Sequence, residues 1–195
     1  MTTRLEWGTG KWTNPPGSAE VDGNDLIVEA SEGSDAWVKT SYGFVHESEH
    51  ALLRALPSES AVEVTFVCDF DQQFDQAGVF LRVDEVNWIK GGVEISDGQL
   101  HVGAVVTNGY SDWSMAPVPE WKGQPVTLRL SRSRDAITIR AGLAKGEKRL
   151  IRVAHLDPEA TADAGPYCCA PTRAGLRVRF TGWFEDPADE ALHPS

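Results

Sequence analysis

The sequence predicts an all-β protein, a two-sheet antiparallel β-sandwich with at most one or two short helices. Three observations carry that prediction. Several segments alternate apolar and polar residues with period two, the pattern of half-buried antiparallel strands. Clusters of Gly, Asn, Asp and Pro separate them at short intervals. Patterns with the helical period are nearly absent. About a dozen strands with no internal repeat fit one sandwich domain spanning residues 1–195, with a flexible tail from about residue 186.

Residues 4–17 (RLEWGTGKWTNPPG) are turn-rich, and Pro15-Pro16 prevents regular pairing there. A short strand at Leu26-Ile27-Val28 follows the Asp22-Gly23-Asn24 turn. A second, Ala36 to Thr40, places Trp37 and Lys39 on one face. Val62, Val64, Phe66 and Cys68 then alternate with polar residues. The same alternation recurs at Val126-Leu128-Leu130, at Ile137-Ile139 and at Leu176-Val178-Phe180. Asp157 to Ala164 predicts one short helix, with Asp157 as N-cap and Pro158 at the first helical position. The tail from Asp186 is acidic and contains proline.

Charge and cysteine content bound the function. With 29 acidic and 18 basic residues the net charge is −11, which disfavours nucleic acid and anionic membranes as partners. The first residues lack the apolar run of a signal peptide. The three cysteines, Cys68, Cys168 and Cys169, make a poor disulfide framework and suit the reducing cytoplasm. All three are expected to be buried. No cofactor and no metal are expected.

The stretch from Phe70 to Trp113 reads as three consecutive strands with an unusual load of polar and aromatic side chains. Asp97-Gly98 is the signal of a two-residue type I′ hairpin turn. It fixes parity: Ser96 faces Gln99, Glu94 faces His101, Gly92 faces Gly103 and Lys90 faces Val105. Trp88 lies on that same face. Ile89, Val93 and Ile95, with Leu100, Val102, Ala104 and Val106, form the opposite, core face. Two facing glycines between charged neighbours suggest the floor of a cleft, since strand glycine marks close approach by a ligand or a backbone. A three- or five-residue connection before Trp88 sets Arg82 opposite it; a four-residue one reverses the parity. Past Asn108-Gly109, Tyr110-Ser111-Asp112-Trp113 combines two aromatics with a hydroxyl and a carboxylate, as in a sugar-recognition loop.

His46-Glu47-Ser48-Glu49-His50 matches the H-E-x-x-H zinc-protease pattern. That chemistry needs a helix placing both histidines on one face, and the surrounding sequence is β. The motif is therefore read as a coincidence. No E-x-D-x-E strand of a laminarinase-type retaining glycosidase occurs, and neither does a nucleophile elbow, P-loop or Rossmann fingerprint.

Four stretches in combination resemble one family: Asp35 to Phe44; Asp75 to Gly78 with Arg82 to Asp84; Trp88 to Glu94 with Gly109 to Trp113; and Gly165 to Pro171 leading into Leu176 to Phe180. This is the uncharacterised bacterial and fungal family that includes the yeast "regulation of enolase" protein, and the resemblance runs from about Trp12 to Phe184. It implies a concanavalin A-like jelly roll of the lectin/glucanase superfamily, with ligand bound on the concave sheet face. It supplies no catalytic residues.

The expectation is a carbohydrate-binding, lectin-like module for a small-molecule sugar or sugar phosphate. Trp37, Trp88, Tyr110 or Trp113 would stack on the ring, and Lys39, Arg82, Lys90, Glu94, His101 and Asp112 would bind its polar groups. The alternatives are a glycoside hydrolase or lyase with Glu94 as general acid/base, and a regulatory protein-interaction module for a metabolic enzyme.

Overall fold

The computed structural model describes residues 1–193. Among them, strands form at β1 (Thr3–Arg4), β2 (Lys11–Trp12), β3 (Ser18–Asp22), β4 (Asp25–Glu29), β5 (Ala36–Val38) and β6 (Val45–Glu47). There follow β7 (His50–Ala55), β8 (Ser60–Val67), β9 (Gln76–Arg82), β10 (Asn87–Ser96), β11 (Gln99–Asn108) and β12 (Ser111–Pro117). The last five are β13 (Pro125–Ser133), β14 (Ala136–Leu143), β15 (Arg149–His155), β16 (Asp163–Cys169) and β17 (Arg177–Pro187). The only helical pieces among the described residues are two 3-10 turns, Trp7–Thr9 and Pro119–Trp121.

Two large antiparallel sheets result, as the alternation predicts. One has the order β15-β14-β13-β8-β17-β4-β3, with β1 added on β17. The other runs β12-β11-β10-β9-β16-β7-β2. Between them lies the main core. Val64, Phe66, Leu128, Leu130, Ile137, Ile139 and Phe180 from the first sheet pack against Val79, Leu81, Ile89, Val93, Val102 and Ala104 from the second, all essentially buried. Cys68, Cys168 and Cys169 are buried free thiols. Burial pushes Cys68 and Cys168 up to about 12, so these thiols are inert small apolar residues.

A third, two-stranded unit decides where the site lies. The β5–β6 hairpin belongs to neither large sheet. It lies over the outer face of the seven-stranded sheet, where Ala36, Trp37 and Val38 join Ala51, Leu53, Phe80, Trp88, Val105, Tyr167 and Cys169 in a second apolar cluster. The Val38 amide donates to Ser111 Oγ at 2.9 Å, which ties the hairpin to β12. The seven-stranded sheet is thus covered on both faces in its middle.

Three sequence expectations are corrected. Asp157 to Ala164 does not form a helix: a single turn at Asp157–Ala160 gives way to β16 at Asp163. The buried Arg132 guanidinium accounts for this, because it takes the carbonyls of Leu56, Pro158 and Ala160 and so consumes acceptors that a helix would use. Lys39 does not alternate with Trp37 on a strand, because β5 ends at Val38 and Lys39 adopts φ 61° in the hairpin turn. Strands among the described residues number seventeen rather than about a dozen, the extra ones being short edge pieces and the covering hairpin. In the acidic tail, Asp186 and Asp189 pair with Arg129, and Asp189 also with Arg140. Pro194 and Ser195 lie outside the described residues.

Candidate functional site

The register that positions the site follows from the Asp97-Gly98 turn. Asp97 and Gly98 take φ of 51° and 77°, both positive as a type I′ turn requires. The pairs Ser96–Gln99, Glu94–His101, Gly92–Gly103 and Lys90–Val105 all form. A five-residue connection then sets Arg82 opposite Trp88, so that Phe80, Gly78 and Gln76 face Lys90, Gly92 and Glu94. On the far side Trp113 faces Val105.

A row of glycines crosses this face: Gly78 on β9, Gly92 on β10 and Gly103 on β11. A methyl group at Gly78 would meet the Gly91 carbonyl oxygen at 2.0 Å, and one at Gly103 the Ser114 carbonyl oxygen at 2.3 Å. The approach that demands glycine is therefore by neighbouring backbone. At Gly92 the added atom would also lie 2.6 Å from the Tyr167 hydroxyl. Tyr167 sits on β16 opposite Gly78 and reaches across it to Gly92. Its phenol is buried, and burial keeps it protonated far above neutral pH.

Beneath the hairpin lies a cavity of about 220 Å³ lined by Trp37, Tyr42, Phe44, Phe74, Val105 and Trp113, and by Asp35, Gln76, Lys90 and Glu94. Its aromatic walls stand at steep angles. Trp37 meets Trp113 edge-on at 6.2 Å and 86°, and Tyr42 at 5.7 Å and 66°, while Tyr42 stacks on Phe44 at 5.2 Å. The cavity floor is polar. Lys90 Nζ donates to Asp35 Oδ1 at 3.1 Å and to Gln76 Oε1 at 2.9 Å. Burial alone would lower the Lys90 pKa, yet Asp35 and the other neighbouring acidic groups hold it above its ordinary value, so it stays a cation.

Glu94 is the unbalanced member of the floor. Its Oε1 is buried with no hydrogen-bond partner among the described residues. Burial pushes its pKa up to about 7; Lys90 pulls it down, and Asp35 pushes it further up. A carboxyl group near half-ionised at neutral pH can give or take a proton, or bind a donor from a ligand.

Of the residues named from sequence, Trp37, Lys90, Glu94 and Trp113 line the cavity together. Trp88 does not offer an open stacking face: it is 4% exposed and stacks on Phe80 at 5.4 Å under the hairpin. Arg82 points toward Glu49 at 3.7 Å and lines a different depression with Trp12 and Arg54. His101 pairs with Glu94 across the strands, but its Nδ1 lies 3.0 Å from the Gln99 carbonyl and it is not part of the lining. Lys39 and Tyr110 form an exposed cation–π pair at 5.4 Å outside the cavity. Asp112 pairs with Val106, whose side chain packs on the core face, and makes an ion pair with Arg152 at 3.2 Å. It is removed from the site by one-residue parity.

Sequence reasoning missed Asp35, Tyr42, Phe44, Phe74, Gln76 and Tyr167. Gln76 follows from carrying the strand parity one strand further. The hairpin residues follow only from knowing that β5–β6 folds over this sheet.

His46 and His50 sit on separate strands, β6 and β7, rather than on a helix. His50 Nε2 accepts the Ser31 amide at 3.0 Å, and its Nδ1 lies 3.0 Å from the Asn14 carbonyl, so both ring nitrogens are occupied. Burial lowers its pKa and keeps it neutral. Among the described residues no group of three or more His, Cys, Asp or Glu side chains could hold a metal ion, and no helix is long and apolar enough to cross a membrane.

Comparisons with known proteins agree with the resemblance read from the sequence. A family model described as "Protein of unknown function (DUF1349)" matches residues 12–186. The Saccharomyces cerevisiae protein "Regulation of enolase protein 1" is 35% identical over 96% of this chain and 95% of its own length. The crystal structure of a functionally unknown protein from Saccharomyces cerevisiae superposes with a TM-score of 0.87 at 32% identity, covering 94% of this chain and 98% of that one. A xylan β-1,4-xylosidase from Bacillus halodurans shares the fold, with a TM-score of 0.64 at 14% identity; 83% of this chain matches 32% of that enzyme.

Proposed function

The chain belongs to the DUF1349 family, and on that premise we propose that it binds a single sugar ring in the cavity beneath the β5–β6 hairpin. The observation that carries this reading is the pairing of aromatic walls, Trp37, Tyr42, Phe44 and Trp113, with the hydrogen-bonding floor of Asp35, Gln76, Lys90 and Glu94. A pyranose has apolar C–H faces and a polar rim, and a site for it needs both surfaces. At about 220 Å³ the cavity is smaller than the ~300–1,000 Å³ of drug-sized ligand sites, which suits one ring rather than an oligosaccharide. The xylosidase whose part shares this fold acts on a carbohydrate, which lends weaker support. The three buried free cysteines support a cytoplasmic setting.

Thermal-shift and calorimetric titration with a panel of monosaccharides tests the reading. Binding that Trp37→Ala or Trp113→Ala removes is the expected result. No binding by any sugar at millimolar concentration sinks it, and would leave the regulatory reading that the yeast relative's name suggests.

A second reading is favoured by one observation. Glu94, with a pKa of about 7 and an unpartnered oxygen in the cavity, is suited to general acid/base work on a sugar derivative. In that case Glu94→Gln would abolish product formation while leaving binding intact.

A further inference from the structure

We propose that the sugar bound here is an amino sugar, whose ammonium group is held between the aromatic walls and the Glu94 carboxylate. This rests on the reading of the cavity as a sugar site and narrows its ligand class. Three features of the floor argue for positive charge on the ligand.

The first is charge balance. Lys90, the one cation of the lining, is already neutralised by Asp35 at 3.1 Å and spends a second donor on Gln76. The other two cations expected from sequence are elsewhere, Arg82 beside Glu49 and Lys39 over Tyr110. A phosphate or carboxylate on the ligand would find no free cation here. It would instead enter a site in which Glu94 is the unbalanced charge, on a protein whose net charge is −11. The second is hydrogen bonding. Glu94 Oε1, buried without a partner, lacks a donor, and an ammonium group brings three. The third is the wall geometry. Trp37, Tyr42, Phe44 and Trp113 surround a small volume with rings set at several angles to one another, and clusters of aromatic rings are what cation–π recognition of ammonium groups uses.

The other ionisable groups around Glu94 do not change the sign. Lys90 lies on the same strand, Asp35 precedes the hairpin, His101 pairs across from β11, and Tyr167 and Cys169 approach from β16. Burial holds Tyr167 and Cys169 neutral at any pH of interest. Lys90 and Asp35 cancel as a pair. Glu94 is thus the group whose ionisation the ligand reads.

The experiment compares glucosamine, glucose, N-acetylglucosamine and glucose 6-phosphate by isothermal titration calorimetry. At pH 7 glucosamine is expected to bind at least tenfold more tightly than the neutral pair, and glucose 6-phosphate most weakly. Between about pH 5.5 and pH 7 the amine stays largely charged while Glu94 passes from mostly protonated to about half ionised. Glucosamine affinity should therefore rise about tenfold and glucose affinity should stay flat. Glu94→Gln should erase both the preference and the pH dependence, and the wild-type pH series stands even if that variant folds poorly. Equal binding of glucose and glucosamine, or tightest binding of the phosphate, overturns the inference and leaves the sugar site standing. No binding by any of the four overturns both.

Discussion

Glu94 and Lys90 lie four residues apart on the same face of one strand, yet they meet opposite fates. Lys90 finds Asp35 and Gln76 within hydrogen-bond reach, whereas Glu94 Oε1 finds nothing. A carboxyl group whose folded pKa of about 7 exceeds its usual 4.5 binds its proton more tightly in the native state. Its stabilising effect is fully present below about pH 4.5 and is lost as pH rises through about 7. Removing the ionisable group therefore helps only at higher pH. Glu94→Gln should match the wild type in urea denaturation at pH 4.5, and at pH 8 should exceed it by up to about 3 kcal/mol. A gap that narrows with rising pH would contradict the assigned burial. Lys90→Met behaves differently, since it strands Asp35 beside the cavity. It should cost about 3 kcal/mol at pH 7, with Asp35→Asn in the same chain restoring at least about 1 kcal/mol. Additive losses in that double-mutant cycle would mean that the pair is not coupled.

At the scale of the element, the glycine row and the hairpin make the site possible. The sequence shows Gly92 and Gly103 as facing glycines but does not show what approaches them. The structure answers with the carbonyls of Ala77 and Ser114 and the hydroxyl of Tyr167. Gly92→Ala should thus cost about 1–3 kcal/mol in thermal or urea unfolding, as overpacking does. Adding Tyr167→Phe should recover only part of this, because the Ala77 carbonyl at 2.7 Å remains in the way. Full recovery would identify the hydroxyl as the sole obstacle. Turn chemistry and parity made the β10–β11 register legible, whereas the Arg82–Trp88 pairing was one of two parities left open until the five-residue connection decided it. Asp157 to Ala164 was misread because its N-cap and Pro158 are local signals. The long-range claim of Arg132 on the Pro158 and Ala160 carbonyls outweighs them. Asp112 was misread for a simpler reason: loop reasoning at Gly109 does not carry strand parity, and Asp112 belongs to the other face.

For the molecule as a whole, alternation sufficed to predict the sandwich and failed to predict its covering. A strand buried on both faces loses the polar half of its pattern and reads as a continuous apolar run. In β9, Val79 and Leu81 face the core while Phe80 faces the hairpin, and in β16 Ala164 to Cys169 are all buried. Which segment lies over these strands depends on a contact between β5 and strands distant in sequence. The covering also ranks the parts by stability. β9, β10 and β16 are buried from both sides, whereas the hairpin is held by three apolar residues, the Asp35–Lys90 pair, the Val38–Ser111 bond and the Asn14 side-chain amide on the Glu47 carbonyl. Native-state hydrogen exchange should therefore find the β9, β10 and β16 amides opening only with global unfolding, and the β5–β6 amides opening at a free energy several kcal/mol lower. A sugar that binds beneath the hairpin must raise the hairpin's opening free energy by RT ln(1 + [L]/Kd), about 2.7 kcal/mol at a hundredfold excess over Kd. Equal opening energies for hairpin and central strands would make β5–β6 part of a single cooperative unit. A sugar would then have to enter the cavity without movement of the hairpin.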